Sequence, residues 1–222
     1  MADKIWLGGS TASANSLNVA ANWSPSGVPS GSDNIYITSR STVSILNDLA
    51  TLAAVTGELH IQEGYGKVIG GTTRGYLEMK PSKVYFGGRG LAYVDVKAST
   101  GVVTVTNSRA MNYRPGLYLK GSALNTLEIK NGSVGFAYDV GETSSVKTVR
   151  AYGGELTMGA GVSGTTLITV SGGMVKTFTG STAMDVSVYG GQFHGDRAWQ
   201  CRNLNSFGGV SRVGGTGAIA SV

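Results

Sequence analysis

Apolar and polar residues alternate over short stretches in the C-terminal half of the chain, and a glycine-containing turn interrupts each stretch. The segments LEIKNGSVGF, VRAYGGELTM, ITVSGGMVKT, VSVYGGQFHG and LNSFGGVSRV align without a gap. Their first column is apolar throughout, with Leu127, Val149, Ile168, Val186 and Leu204. Alternation with a period of two is typical of a strand with one buried face. Each segment therefore predicts a strand, a glycine turn and a second short strand.

The remaining columns of the alignment separate two faces. Two further columns are mainly apolar, namely Ile129, Ala151, Val170, Val188 and Ser206, and Val134, Leu156, Val175, Phe193 and Ser211. Between them lies a polar column of Glu128, Arg150, Thr169, Ser187 and Asn205. The apolar columns are the predicted core, and the polar column is the predicted outer face.

The turns recur at a short, nearly constant spacing. The second glycines of Gly153-Gly154, Gly172-Gly173, Gly190-Gly191 and Gly208-Gly209 are 19, 18 and 18 residues apart, and Asn131-Gly132 precedes them by 22. Earlier copies are less regular and centre on the triplets Ile35-Tyr36-Ile37, Leu59-His60-Ile61, Val84-Tyr85-Phe86 and Val103-Thr104-Val105. From the turn of one copy to the turn of the next, the successive spacings are 24, 24, 20, 24, 22, 19, 18 and 18 residues.

A repeat of 18–24 residues built from short strands and turns is typical of one coil of a β-solenoid. We therefore predict an all-β fold, a single-stranded parallel β-helix, over residues 35–222. An antiparallel β-sandwich or barrel is the alternative, since short strands with frequent turns fit it too. The register of the apolar columns favours the solenoid, because an up-and-down barrel does not require it.

Residues 1–34 differ from the repeat and are rich in Ser, Asn, Gly and Pro. They include Trp6 and Trp23, whose large apolar side chains are expected to be buried. We interpret this segment as a cap over the open first coil, which solenoid ends require. The alternative is an anchor that inserts into a neighbouring protein.

This first segment resembles the opening of known β-helical proteins. The pattern is Trp6-x-Gly8-Gly9, then Ala21-Asn22-Trp23-Ser24-Pro25-x-Gly27-x-Pro29, then Asp33-x-Ile35-x-Ile37. It is similar to openings of β-helical phage virion proteins and of autotransporter-like bacterial surface proteins. Met1 lies only five residues before Trp6, where the bacterial proteins would have a signal peptide. We therefore expect a virion protein made in the host cytoplasm. The resemblance implies a homotrimer that serves as a capsid decoration, a fibre or a tailspike.

Composition and charge narrow the choice of partners. Of 222 residues, 35 are glycine and only 14% are charged, which indicates a turn-dense folded chain. The net charge is +5, but the 18 Lys and Arg residues are scattered singly, so we expect no nucleic-acid partner. We also expect no membrane partner, because no apolar run approaches the length of a membrane span. Cys201 is the single cysteine and has no partner for an internal disulfide.

The candidate chemistry is sparse. Some β-helical phage proteins cut polysaccharide, which needs two carboxylates in one groove. Glu128, Glu155, Asp185 and Asp196 occupy four different columns of the alignment. His194-Gly195-Asp196-Arg197 is the richest cluster, and His194 shares its column with Thr157, Lys176 and Arg212, a mildly basic ladder. We therefore predict no catalytic residues, no metal and no cofactor.

One outer column is aromatic and carries the predicted function. Tyr152, Tyr189 and Phe207 stand two residues before their second glycines, with Ser171 between the first two. Such a column could face a partner subunit, face a host surface glycan, or pack at a coil corner. We expect a non-enzymatic, trimeric capsid decoration protein that contacts the major capsid protein or another virion protein. The alternatives are a receptor- or glycan-binding fibre or adhesin and, third, a polysaccharide-degrading tailspike.

Overall fold

Two long sheets, built from successive coils of the chain, carry the fold. This computed structural model describes residues 1–97, 101–109, 114–178, 180, 183–196, 199–214 and 219–221. The strands are β1 Asp3–Trp6, β2 Trp23–Ser24, β3 Asn34–Ile37, β4 Leu59–Ile61, β5 Leu77–Met79, β6 Lys83–Phe86, β7 Ala92–Val96, β8 Val102–Val105, β9 Leu117–Gly121, β10 Leu124–Ile129, β11 Ser133–Phe136, β12 Ser144–Ala151, β13 Glu155–Met158, β14 Val162–Ser163, β15 Leu167–Val170, β16 Met174–Thr177, β17 Asp185–Val188, β18 Gln192–Gly195, β19 Cys201–Ser206, β20 Val210–Val213 and β21 Ile219–Ser221. Two short 3-10 helices span Ala20–Asn22 and Leu49–Leu52.

Within these ranges the long sheet has 13 strands and the short sheet has eight. The long sheet runs in the order β2-β1-β3-β4-β6-β8-β10-β12-β15-β17-β19-β21, with β14 beside β12. The short sheet runs β20-β18-β16-β13-β11-β9-β7-β5. From β6 onward the chain passes from a strand of the long sheet to one of the short sheet and back, so each coil stacks on the one before it.

Strand pairing confirms the predicted parallel β-solenoid. Leu127 pairs with Val149, which pairs with Ile168, and the row continues through Val186 to Leu204. All of these ladders are parallel, and among the named strands only β1 and β2 pair antiparallel. The antiparallel sandwich is therefore wrong. A solenoid coil enters each sheet in the same direction, and only parallel neighbours result.

The earlier repeats also pair in register, but two of their spacings differ from the glycine count. Leu59 pairs with Val84, and Val84 pairs with Val103, so these steps are 25 and 19 residues instead of 24 and 20. The amide of Gly87 donates to the carbonyl of Ile61. Gly87 thus follows its strand directly, whereas one residue separates strand and glycine pair in the later coils. The shift of one residue explains the miscount.

The core consists of the inward rows of both sheets. The apolar columns predicted in the repeat are buried from Leu127 to Leu204 and from Val134 to Phe193. At the last coils Trp199 packs against Phe193, with ring centroids 5.1 Å apart. Trp199 also covers Gly195, where an added Cβ would lie 2.5 Å from the indole. The Trp199 ring therefore fits into the final coils because the residue that it covers, Gly195, has no side chain.

The repeated turns depend on glycine for two reasons. Gly154, Gly173, Gly191 and Gly209 all have positive φ, between 68° and 76°. A Cβ on Gly173 would also lie 2.3 Å from the carbonyl oxygen of Gly154 in the coil before it. Conformation and close approach both exclude other residues at this position.

Residues 1–34 belong to the same core as the repeat. Strand β1 pairs in parallel with β3 and antiparallel with β2, so it extends the long sheet by one coil. The rings of Trp6 and Trp23 lie edge to face inside that core, with centroids 5.3 Å apart. Their indole N–H groups donate to Val43 and Leu17 carbonyls at 3.4 and 2.9 Å. This placement suits a cap, and it leaves neither indole exposed for insertion into another protein.

A charge in the core row is expected to unfold the C-terminal coils. Val186 is fully buried, and an unpaired buried carboxylate costs several kcal/mol out of a total stability of about 5–15 kcal/mol. In Val186→Asp, circular dichroism should show less β-structure before heating and a thermal transition of smaller amplitude at a lower temperature than in the parent. Ser187→Asp changes the next residue on the outer face of the same strand and should melt close to the parent. Equal melting of both variants would contradict the register.

A methyl group in the turn ladder is expected to destabilise the fold. Gly173→Ala places a Cβ at positive φ, which alone costs about 1–2 kcal/mol, and the clash with Gly154 adds to it. At about 2–4 °C per kcal/mol, the melting temperature should fall by several degrees. Gly66→Ala is the matched control, because Gly66 is exposed, lacks positive φ and has no atom within 4 Å of an added Cβ. A smaller loss in Gly173→Ala than in the control would be inconsistent with this account.

Candidate functional site

The predicted aromatic column forms an exposed edge of the solenoid. Tyr152, Tyr189 and Phe207, here called the aromatic edge, each follow a strand of the long sheet. The amide of Tyr189 donates to Val170 and that of Phe207 to Val188, both at 2.8 Å, which places the two residues at equivalent positions of successive coils. Their exposed fractions are 50%, 57% and 70%. These side chains are therefore available to a partner.

Two of the three rings contact each other. Tyr189 and Phe207 stack with centroids 5.0 Å apart and an angle of 12° between planes. Ser171 occupies the equivalent position between Tyr152 and Tyr189, and no ring contact of Tyr152 occurs in the described part of the chain. Val210, just beyond the last turn, is also exposed. The apolar surface of the aromatic edge is therefore concentrated at the last coils.

A second aromatic ladder, which the sequence analysis did not single out, lies on the outer face of the long sheet. The ring of His60 stacks between those of Tyr36 and Tyr85, with centroids 4.7 Å apart on each side. Glu58 lies 3.0 Å from His60 Nε2 and 3.5 Å from Lys83 Nζ. Burial, followed by the charges of Asp3 and Glu58, raises the pKa of Tyr36.

The signal for this ladder was present in the sequence. Tyr36, His60 and Tyr85 are the middle residues of three aligned triplets, and middle residues face outward. Both faces of the His60 ring and one face each of the Tyr36 and Tyr85 rings are covered by a neighbouring ring, and Tyr85 at the end of the stack is 36% exposed. The ladder therefore contributes to packing between coils more than it offers flat ring faces to a ligand.

A third group of aromatic residues covers the first part of the short sheet's outer face. Tyr93 and Tyr118 stack at 4.5 Å, while Tyr76 and Tyr138 contact them edge to face from either end. Lys120 Nζ lies 3.9 Å from the centre of the Tyr76 ring, and the Tyr76 hydroxyl donates to Glu142. Burial raises the pKa of Tyr118 to about 12. These side chains cover the sheet itself, and beside them lies a cavity of about 510 Å³, lined by Asp95, Lys97, Lys120, Gly121, Ser122, Val140, Gly141, Glu142 and Thr143.

The later part of the same face is open and contains a cavity of about 280 Å³. Thr157, Lys176, His194 and Arg212 pair in register along it, so the basic ladder predicted from the sequence is present. The described residues that line the cavity are Lys176, Phe178, His194, Gly195, Asp196, Arg212, Val213 and Gly214. The sequence predicted the row of basic side chains but not the hollow beside it.

The cavity brings charges of both signs together around the imidazole of His194. Burial, and then the charges of Arg212 and Lys176, lower the pKa of His194. Its Nε2 is buried and accepts or donates no hydrogen bond within the described ranges. Lys176 Nζ lies 3.7 Å from Glu155, across an exposed ion pair of the kind that contributes little to stability.

The acidic residues considered for catalysis are held apart. Asp185 lies in β17 of the long sheet, whereas Asp196 follows β18 of the short sheet. Asp185 accepts hydrogen bonds from Arg202 and from Asn203, and the bonds from Arg202 lower its pKa. Glu128 faces Arg150 at 3.3 Å. Arg197, the last member of the predicted cluster, lies outside the described residues.

The potential metal ligands and the single thiol have the following surroundings in the described part of the chain. No three His, Cys, Asp or Glu side chains there come close enough together to hold a metal ion. Cys201 is buried, and that burial, followed by the charge of Asp185, raises the pKa of its thiol. None of the helices in the described ranges is long and apolar enough to cross a membrane.

Comparison of the chain with protein family models, with curated protein sequences and with solved structures gives no match.

His194 is expected to make stability fall as the pH is lowered. Its folded-state pKa lies below the value of about 6.5 in an unfolded chain, so the unfolded state binds more protons near that pH and stability rises with pH there. His194→Gln removes this contribution. The melting temperature of the parent minus that of the variant should decrease between about pH 7.5 and pH 5.5 at constant ionic strength. A difference that does not change with pH would contradict the assignment.

Proposed function

We propose that the chain is a non-enzymatic structural protein of a virion, a homotrimer that decorates the capsid of a tailed phage. The aromatic edge carries this proposal, because three large rings are exposed on a framework whose backbone is fixed by coil-to-coil hydrogen bonds. Exposed apolar patches that are held in place commonly mark association sites. The resemblance of residues 1–34 to phage virion proteins supports the setting.

The geometry of the edge supports association of like copies about an axis parallel to the solenoid. Tyr189 and Phe207 occupy successive coils, so their row runs along the direction in which coils stack. Copies lying side by side can bring such rows together over their full length. Closed symmetric association then removes the apolar surface of every copy from water, and a threefold axis closes the ring with three copies.

The proposed partner on the particle is the major capsid protein or another virion protein. Residues 1–34 close one end of the solenoid with buried side chains, and the aromatic edge lies towards the other end. Self-association through the edge thus leaves the capped end and the outer sheet faces free for the particle. Cosedimentation with capsids tests this contact, and cosedimentation with host cells instead would favour the fibre or adhesin alternative.

Charges placed in the aromatic edge are expected to dissociate the trimer. The Tyr189→Glu, Phe207→Glu double variant introduces six carboxylates into one seam, and like charges in a desolvated seam repel strongly. Multi-angle light scattering at micromolar concentration should give roughly three times 22.8 kDa for the parent and one chain mass for the variant.

Tyr85→Glu is the control, because it places a carboxylate at an exposed tyrosine on the outer face of the long sheet, away from the edge. It should retain the parent's mass. A parent with the mass of a single chain, or a double variant that keeps the parent's mass, would refute the proposed contact.

A further inference from the structure

The cavity on the open part of the short sheet lies between two neighbouring outer rows. One row is Lys176, His194 and Arg212, held by the pairing of β16, β18 and β20. The next outward position in each coil is Phe178, Asp196 or Gly214, whose amides donate to Met158, Thr177 and Gly195 in the preceding coils. Because the last of these has no side chain, the row ends in a hollow.

The lining combines three kinds of recognition group. Lys176 and Arg212 offer N–H donors, and Arg212 has no ion pair with any described residue. The carboxylate of Asp196 lies on the Gly214 side, 3.8 Å from where a Cβ of Gly214 would be. Phe178 and Val213 supply an apolar wall and are both partly exposed. Donors, an acceptor and an apolar surface thus converge on about 280 Å³.

This combination disfavours the simplest ligands. A small inorganic anion would meet the carboxylate of Asp196 as well as the two cations, and it would leave the apolar wall uncovered. A purely apolar ligand would displace water from Lys176, Arg212 and Asp196. It would offer no hydrogen bonds in place of those that these side chains make to water, which is unfavourable. A ligand that fits must carry donors, acceptors and an apolar face on one small body.

A sugar ring has these properties, since its hydroxyls both donate and accept while its axial C–H groups form an apolar face. The volume lies just below the usual range of small-molecule pockets, about 300–1,000 Å³, which suits one ring and not a long chain held end to end. We propose that this cavity binds a single monosaccharide unit, with Lys176 and Arg212 donating to ring oxygens, Asp196 accepting from hydroxyls and Phe178 packing on the C–H face. The site is independent of the aromatic edge and of trimer formation.

Gly214 provides a direct test, because a larger residue there fills the hollow without straining the backbone. It lacks positive φ, and among the described residues the nearest atoms to an added Cβ are at ordinary contact distances of 3.8 and 3.9 Å. Gly214→Leu should therefore fold like the parent while occupying the ligand's space. Gly66→Leu is the matched control at an exposed glycine with open space around it. Melting temperature and native mass of both variants should equal those of the parent.

Binding is measured by saturation-transfer NMR on the full chain with the methyl glycosides of glucose, galactose, N-acetylglucosamine and glucuronic acid, and with sodium sulfate as competitor. At least one glycoside should bind with a dissociation constant of about 1 mM or below, and Gly214→Leu should weaken it by about tenfold or more. Gly66→Leu should bind as the parent does, and Arg212→Gln should weaken binding with the fold intact.

Three results would overturn the proposal. They are binding of none of the four glycosides, equal binding by Gly214→Leu and the parent, and displacement of the glycoside by sulfate at equal concentration, which would indicate a simple anion site. None of these results depends on the oligomeric state, so failure here leaves the trimer proposal standing, and a monomeric parent would leave this one standing.

Discussion

Coil-to-coil backbone hydrogen bonding is the interaction on which the rest of this structure depends. Each strand donates to and accepts from the equivalent strand of the neighbouring coils, as from Leu127 to Val149 and onward to Leu204. A residue therefore lies on its own counterpart about 4.8 Å away, and the side chains of one column meet whether or not they suit each other. Every column must consequently be chemically consistent, which is why apolar residues fill the inward columns so regularly.

The same stacking makes the turns the most demanding part of each coil. Successive turns approach so closely that a Cβ on Gly173 would collide with the carbonyl oxygen of Gly154. The chain meets this demand with glycine at positive φ in coil after coil. At the N-terminal end, strand β1 extends the long sheet and the buried pair Trp6 and Trp23 extends the core.

A rigid stack of this kind turns sequence columns into surface features. Tyr189 and Phe207 become a stacked, exposed pair, while Tyr36, His60 and Tyr85 become a ladder in which both faces of the central ring are covered. The exposed pair has apolar surface that a partner can cover, whereas the rings of the ladder make most of their contacts within the chain. The difference comes from exposure and ring contact, which makes the aromatic edge the stronger candidate for assembly.

The sequence by itself determined the fold class, the core columns and the register of the last five coils, because period-two alternation and a recurring turn are local properties that strand pairing preserves. It also indicated the aromatic edge and the basic row of Lys176, His194 and Arg212. Only the tertiary structure decided that the Trp6 and Trp23 rings meet inside the core and that tyrosines from separate coils pack together on one part of the short sheet. It likewise revealed the hollow at Gly214. These features depend on which side chains from different coils fill or leave space outside the sheet, and no periodicity along the chain encodes that.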